Sequence, residues 1–156
     1  MNYLGIDIGG TNIEIGVVDS ENQIIYTNQF KTVEFSSANQ CCDKIYADLN
    51  ENFNTDFNGI GIGAPSVNYI SQQIEHAPNL FWGETVELAS IFKTKFGINT
   101  TIINDANAAA IGEWNFGGAK GLDNFAIITL GTGVGIGLVL NGEVYHGSSG
   151  LGGEFG

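Results

Sequence analysis

The chain is 156 residues long, 43% hydrophobic and 14% charged, with 5 Lys and Arg against 17 Asp and Glu for a formal charge of -12. That balance describes a folded globular chain. It excludes a binder of nucleic acid or of anionic membranes, since both need a basic surface. Any phosphate bound by this chain has to be held by backbone amides and a divalent cation, because basic side chains are scarce.

In chain order, Tyr3 to Ile8, Asn12 to Val18 and Ile24 to Phe30 read as strands, joined by turns at Gly9-Gly10 and at Asp19-Ser20-Glu21-Asn22. Such short connections make an antiparallel meander. Ser36 or Ser37 can cap a helix running to about Asn50, with Cys41, Ile45 and Leu49 at helical spacing. The adjacent Cys41 and Cys42 match no zinc or disulfide pattern and read as small core fillers. Gly59 to Ala64 is a buried type of strand ended by Pro65. Ser66 to Gly83 reads as a long irregular stretch, with Phe81-Trp82 packing it down. Val86 to Phe96 reads as a helix closed by Gly97, Thr100 to Ile103 as a strand, and Asp105 to Trp114 as an alanine-rich helix. Trp114 and Phe116 are expected in the core or at an interface. His76 and His146 have no paired nucleophile and read as polar loop residues.

After the Gly117-Gly118-Ala119-Lys120-Gly121 loop the opening pattern returns: Phe125 to Leu130, a turn at Gly131-Thr132-Gly133, and an apolar run from Val134 to Leu140. Gly131 lies where Gly9 lay, and the flanking strands align without a gap. The expected fold is a mixed α/β sheet flanked by helices. Residues 1–118 would form one lobe and 119–156 the opening hairpins of a second. That second lobe has no helices of its own, so the chain is expected to be a truncated version of a longer protein. The N-terminus has no signal-peptide pattern and no apolar run spans a membrane, so a cytoplasmic location is expected.

Three motifs carry candidate chemistry. Asp7-x-Gly9-Gly10-Thr11 sets a carboxylate beside a turn without side chains, where phosphate oxygens can approach amide hydrogens and Asp7 can hold Mg²⁺. An ordinary Gly-Gly hairpin explains the same residues. Gly131-Thr132-Gly133 is a second such turn, and a duplicated turn favours a phosphate clamp. It is neither a dinucleotide fingerprint, since a strand follows it, nor a P-loop, since no Gly-Lys-Ser/Thr is present. Asn104-Asp105 stands at a strand end with a helix directly behind. Asp105 can be a plain helix cap, or a carboxylate kept ionised by the helix dipole that accepts a hydroxyl proton as the oxygen attacks a γ-phosphate.

Taken in order, Asp7-Ile8-Gly9-Gly10-Thr11, Ala77-Pro78-Asn79-Leu80, Asn104-Asp105-Ala106-Asn107-Ala108-Ala109, Gly131-Thr132-Gly133-Val134-Gly135, His146-Gly147-Ser148 and Gly153-Glu154-Phe155-Gly156 resemble the ROK sugar kinases. These belong to the actin-like, ribonuclease-H-like ATPase superfamily. The resemblance implies an ATP- and Mg²⁺-dependent kinase acting on the 6-hydroxyl of a hexose or N-acetyl-hexosamine, glucokinase-like, commonly a homodimer or larger. It implies Asp105 as catalytic base, with Asn104, Glu154, Asn79 and the loop from Gly63 to Ser66 around the sugar. Gly9, Gly10, Thr11, Gly131, Thr132 and Gly133 would form the phosphate loops, and Asp7 the Mg²⁺-linked carboxylate. The chain departs from the family pattern after Gly156, where the Glu-x-Gly-His motif lacks its His. The family's zinc-binding cysteines and adenosine segment would also lie beyond that point. A non-catalytic sugar-binding module of the same fold is the alternative, and a different actin-like ATPase a weaker one. ATP and polyphosphate both stay open as donors.

Overall fold

The computed structural model describes residues 1–53, 56–131 and 133–152. Strand β1 (Tyr3–Ile8) buries Leu4, Ile6 and Ile8 and turns Tyr3, Gly5 and Asp7 to the other face, the alternation that a period of two imposes. Antiparallel to it run β2 (Asn12–Val18) and then β3 (Ile24–Lys31), completing the expected meander. Asp19 closes the second turn by accepting the Glu21 and Gln23 amides on its Oδ1. A single 3-10 turn, Thr32–Glu34, leads toward α1 (Ala38–Asn52). Ser37 caps α1, its hydroxyl accepting the Gln40 amide at 3.3 Å. The inward face of this helix carries Cys41, Cys42, Ile45 and Leu49.

Next come β4 (Gly59–Ala64), parallel to β1, and three short strands, β5 (Val67–Asn68), β6 (Gln73–Glu75) and β7 (Thr85–Val86). Helix α2 (Leu88–Phe96) ends at Gly97, whose φ of 69° is the left-handed cap that glycine adopts without strain. Then follow β8 (Thr100–Asn104) and α3 (Asp105–Phe116). The main sheet has the order β3-β2-β1-β4-β8, five strands with a parallel half and an antiparallel half. Its core is one cluster of aliphatic residues from β1, β2, β4 and β8 packed with the inward faces of α1 and α2. No described helix is long and apolar enough to cross a membrane.

Two expectations are corrected. The stretch 66–83 is not irregular throughout: β5, β6 and β7 form a small antiparallel sheet, and Thr85–Val86 is a strand, so α2 begins at Leu88. Strands of two or three residues are too short to show a period, which is why they read as loop. Phe116 is 69% exposed and so is not a core residue, whereas Trp114 packs near Phe125 with ring centroids 6.2 Å apart. Trp82 does hold its loop down, donating its indole N–H to the Phe35 carbonyl at 3.0 Å, while Phe81 stands 87% exposed.

The second hairpin, β9 (Phe125–Leu130) with β10 (Val134–Leu140), repeats the strand lengths of β1 and β2, and β11 (Glu143–Val144) extends it. Its turn closes one residue tighter: Leu130 pairs with Val134, whereas Ile8 pairs with Ile13. One face packs on α3 through glycine. A Cβ on Gly137 would overlap the Ala106 carbonyl oxygen, and one on Gly135 would lie 2.9 Å from Ala106 Cβ. The opposite face leaves Ile128, Leu130 and Val134 exposed. Helix α3 therefore touches both sheets.

Candidate active site

The start of α3 is the centre of the site. Asn104 ends β8 and caps the helix, its side-chain oxygen accepting the Asn107 amide at 3.1 Å. Asp105 is the first helical residue, and its Oδ1 accepts the Ala106 amide at 2.7 Å, which fixes the carboxylate against the helix start.

A cleft of about 300 Å³ opens in front of Asp105. It is lined by Gly9 and Gly10 from the β1–β2 turn and by Gly131 and Gly133 from the β9–β10 turn, so both glycine turns reach one space. Pro65, Ser66, Pro78 and Asn79 line it as well, together with Asn104. Gly10 has to be glycine because a Cβ would stand 2.8 Å from Asn79 Cβ. Ser66 holds a left-handed φ of 54°, a conformation costly for a residue with a side chain, and the Glu75 amide donating to its carbonyl at 2.9 Å holds it there.

Asp7, which is not among the lining residues, stands beside Gly63. A Cβ on Gly63 would be 3.7 Å from both Asp7 Oδ1 and Asp105 Cα. Partial burial raises the Asp7 carboxyl above its ordinary 3.8, and the neighbouring charges of Asp105 and then Glu14 raise it further. Two carboxylates that repel at the edge of a cleft fit a divalent cation, which would relieve both. Among the described residues no group of three or more His, Cys, Asp or Glu is arranged to hold a metal, so any such ion would keep water or substrate ligands.

Of the expected site residues, Asp105, Asn104, Asn79, Ser66, Gly9, Gly10, Gly131 and Gly133 share the cleft. Thr11 is exposed and does not line it. Thr132 and Glu154 lie outside the described residues. Thr129, which the sequence reading passed over, lines the cleft. Aligning the two hairpins by their turns sets Thr129 opposite Asp7, a signal that was present in the repeat. His146 also has a more definite place than a polar loop residue: it stacks on Tyr69 at 3.5 Å between centroids, and burial lowers its pKa. The Tyr69 amide donates to the Gly150 carbonyl at 2.9 Å, and Asn107 Nδ2 donates to the Gly152 carbonyl at 3.0 Å. The segment 146–152 is thus tied to the β5–β6 hairpin and to α3, and it leads into Glu154 in the sequence.

Comparison with known proteins bears on the family and the fold. The glucokinase of Streptomyces coelicolor is 36% identical over an alignment of 156 positions that covers 98% of this chain and 48% of that protein. The xylose repressor of Bacillus subtilis is 34% identical over 98% of this chain and 41% of its own length. Among solved structures, a ROK family glucokinase from Streptomyces griseus in complex with glucose and AMPPNP superposes with a TM-score of 0.86 at 36% identity, covering 100% of this chain and 50% of that one. The chain thus spans about half the length of the curated relatives it matches. A profile of the ROK family matches residues 3–156, and with these relatives it shows that the chain belongs to the ROK family.

Proposed function

We propose that this chain serves ATP-dependent phosphorylation of the 6-hydroxyl of a hexose or N-acetyl-hexosamine. One observation carries the reading: the Asp105 carboxylate opens into the same cleft as both glycine turns. A sugar hydroxyl beside Asp105 would lose its proton to that carboxylate as its oxygen attacks the γ-phosphorus of ATP. The new O6–P bond forms while the bond to the β-phosphate oxygen breaks, and ADP leaves. Amide hydrogens of the Gly9-Gly10 and Gly131 to Gly133 turns would receive the phosphate oxygens, since among the described residues no basic side chain lines the cleft. Asn104, Asn79 and Ser66, together with Glu154, would orient the sugar hydroxyls. Asp7, with Asp105 close by, would hold Mg²⁺, which supplies charge neutralisation on the phosphates when bound.

Asp105→Asn tests the assignment. It keeps the shape of the cleft and removes the base, so sugar binding by calorimetry should stay within about threefold while turnover falls by roughly 100- to 10,000-fold. Turnover at the unsubstituted level would overturn it. The xylose repressor among the relatives favours a second reading, sugar binding without phosphoryl transfer. ADP release across a panel of sugars separates the two, because a binding module takes up sugar and releases none.

A further inference from the structure

We infer that Thr32 is a positioning residue for the phosphate turn at Gly9 to Thr11, an inference that rests on the kinase reading of the cleft. Thr32 lies directly after β3, where the pairing of Asn12 with Lys31 brings it opposite the turn. It is only 5% exposed and grips two carbonyls of that turn. Its hydroxyl donates to the Gly9 carbonyl at 2.7 Å, and its own amide donates to the Thr11 carbonyl at 3.0 Å. The Gly9 amide in turn donates to the Asn12 carbonyl at 2.9 Å.

The consequence follows from peptide geometry. A trans peptide is planar, and its C=O and N–H point to opposite sides; the chain has no cis bond among the described residues. With the Gly9 carbonyl turned toward Thr32, the Gly10 amide hydrogen is turned away from it. Gly10 lines the cleft. Thr32 thus holds a donor aimed for a phosphate oxygen before nucleotide arrives. Glycine would otherwise wander widely in φ and ψ. Thr32 is itself held, since its carbonyl accepts the Phe35 amide at 3.1 Å and Phe35 packs edge-on to Phe30.

Two variants separate positioning from bulk stability. Thr32→Val keeps the branched shape and the backbone amide but loses the hydroxyl; Thr32→Ser keeps the hydroxyl. In steady-state assays Thr32→Val should raise KM for ATP about tenfold, the worth of one buried hydrogen bond, with KM for sugar within twofold. Thr32→Ser should return KM for ATP to within threefold of the unsubstituted protein. Equal rises in both KM values, or none, would overturn the inference. Should the unsubstituted protein release no ADP with any sugar, the kinase reading fails instead. Binding of a fluorescent ATP analogue with Mg²⁺ then tests Thr32 alone: about tenfold weaker binding by Thr32→Val supports its role, and unchanged binding overturns it.

Discussion

Replacing Gly137 by alanine puts a methyl group where α3 already stands. The new Cβ would overlap the Ala106 carbonyl oxygen and lie 2.6 Å from Ala110 Cβ and 2.9 Å from the Ala106 carbonyl carbon. Carbon atoms rest at about 3.5–4.0 Å, so strand and helix have to separate by roughly 1 Å. The obstacle is mostly backbone, and no rotamer change removes it. Overpacking of this kind costs about 1–3 kcal/mol, a fall in Tm of roughly 2–12 °C for a chain of this size. Ala106 directly follows Asp105, so the same shift displaces the candidate base, and a 1 Å error of that sort can cost about 100-fold in turnover. Gly61→Ala is the matched control, because nothing stands within 4 Å of a Cβ there. Thermal unfolding followed by circular dichroism compares the two. Gly137→Ala melting together with the unsubstituted chain would refute the seating of β10 on α3.

Three further outcomes are expected. Asp7→Asn should raise Tm at neutral pH by a few degrees at most: a carboxyl raised by burial and by Asp105 costs the fold stability as pH climbs through its titration. The gain should vanish below the ordinary 3.8, and activity should be lost; a lower Tm at neutral pH would contradict the electrostatics. Cys41 and Cys42 are buried, and burial pushes both thiols from 9.0 up to about 12. A thiol reagent should therefore label neither in the native protein at neutral pH, and stability should fall as pH rises from about 9 to about 12. Rapid native labelling would count against that. Asn107→Ala should accelerate amide exchange in 146–152 by losing the bond to the Gly152 carbonyl, with β1 and β4 unchanged. Uniform acceleration would point to general destabilisation instead.

The residues that were legible in the sequence were those whose signals are local. Glycine pairs between apolar runs marked both hairpins, and an Asn-Asp pair before an alanine run marked the start of α3. Cys41 and Cys42 read correctly as filler because they fall inside the helix and match no zinc or disulfide pattern. The rest depended on contacts between distant segments. Thr32 meets Gly9 across 23 positions of sequence, so nothing near either residue announces the bond. Asn107 sits among alanines, yet it is 2% exposed and donates to the Gly152 carbonyl 45 positions away. Gly135 and Gly137 belong to a phosphate-like motif, yet the structure uses them to bring β10 against α3. The exposure of Phe116 excludes it from the core of this chain, and an aromatic at a helix end carries no mark of which side will be covered.

The contact between β10 and α3 also has a mechanical side. Side chains that interlock resist sliding, whereas Gly135, Gly137, Ala106 and Ala110 meet as nearly flat surfaces. A helix and a strand in such contact can shear past each other with few rotamers to reset, the small sliding by which packed elements move. The bond from Asn107 to the Gly152 carbonyl ties α3 to the segment that follows β11 and would act as a catch against that travel. A smooth bearing with one catch would let the Gly131 turn advance or withdraw relative to Asp105 while the main sheet keeps its shape.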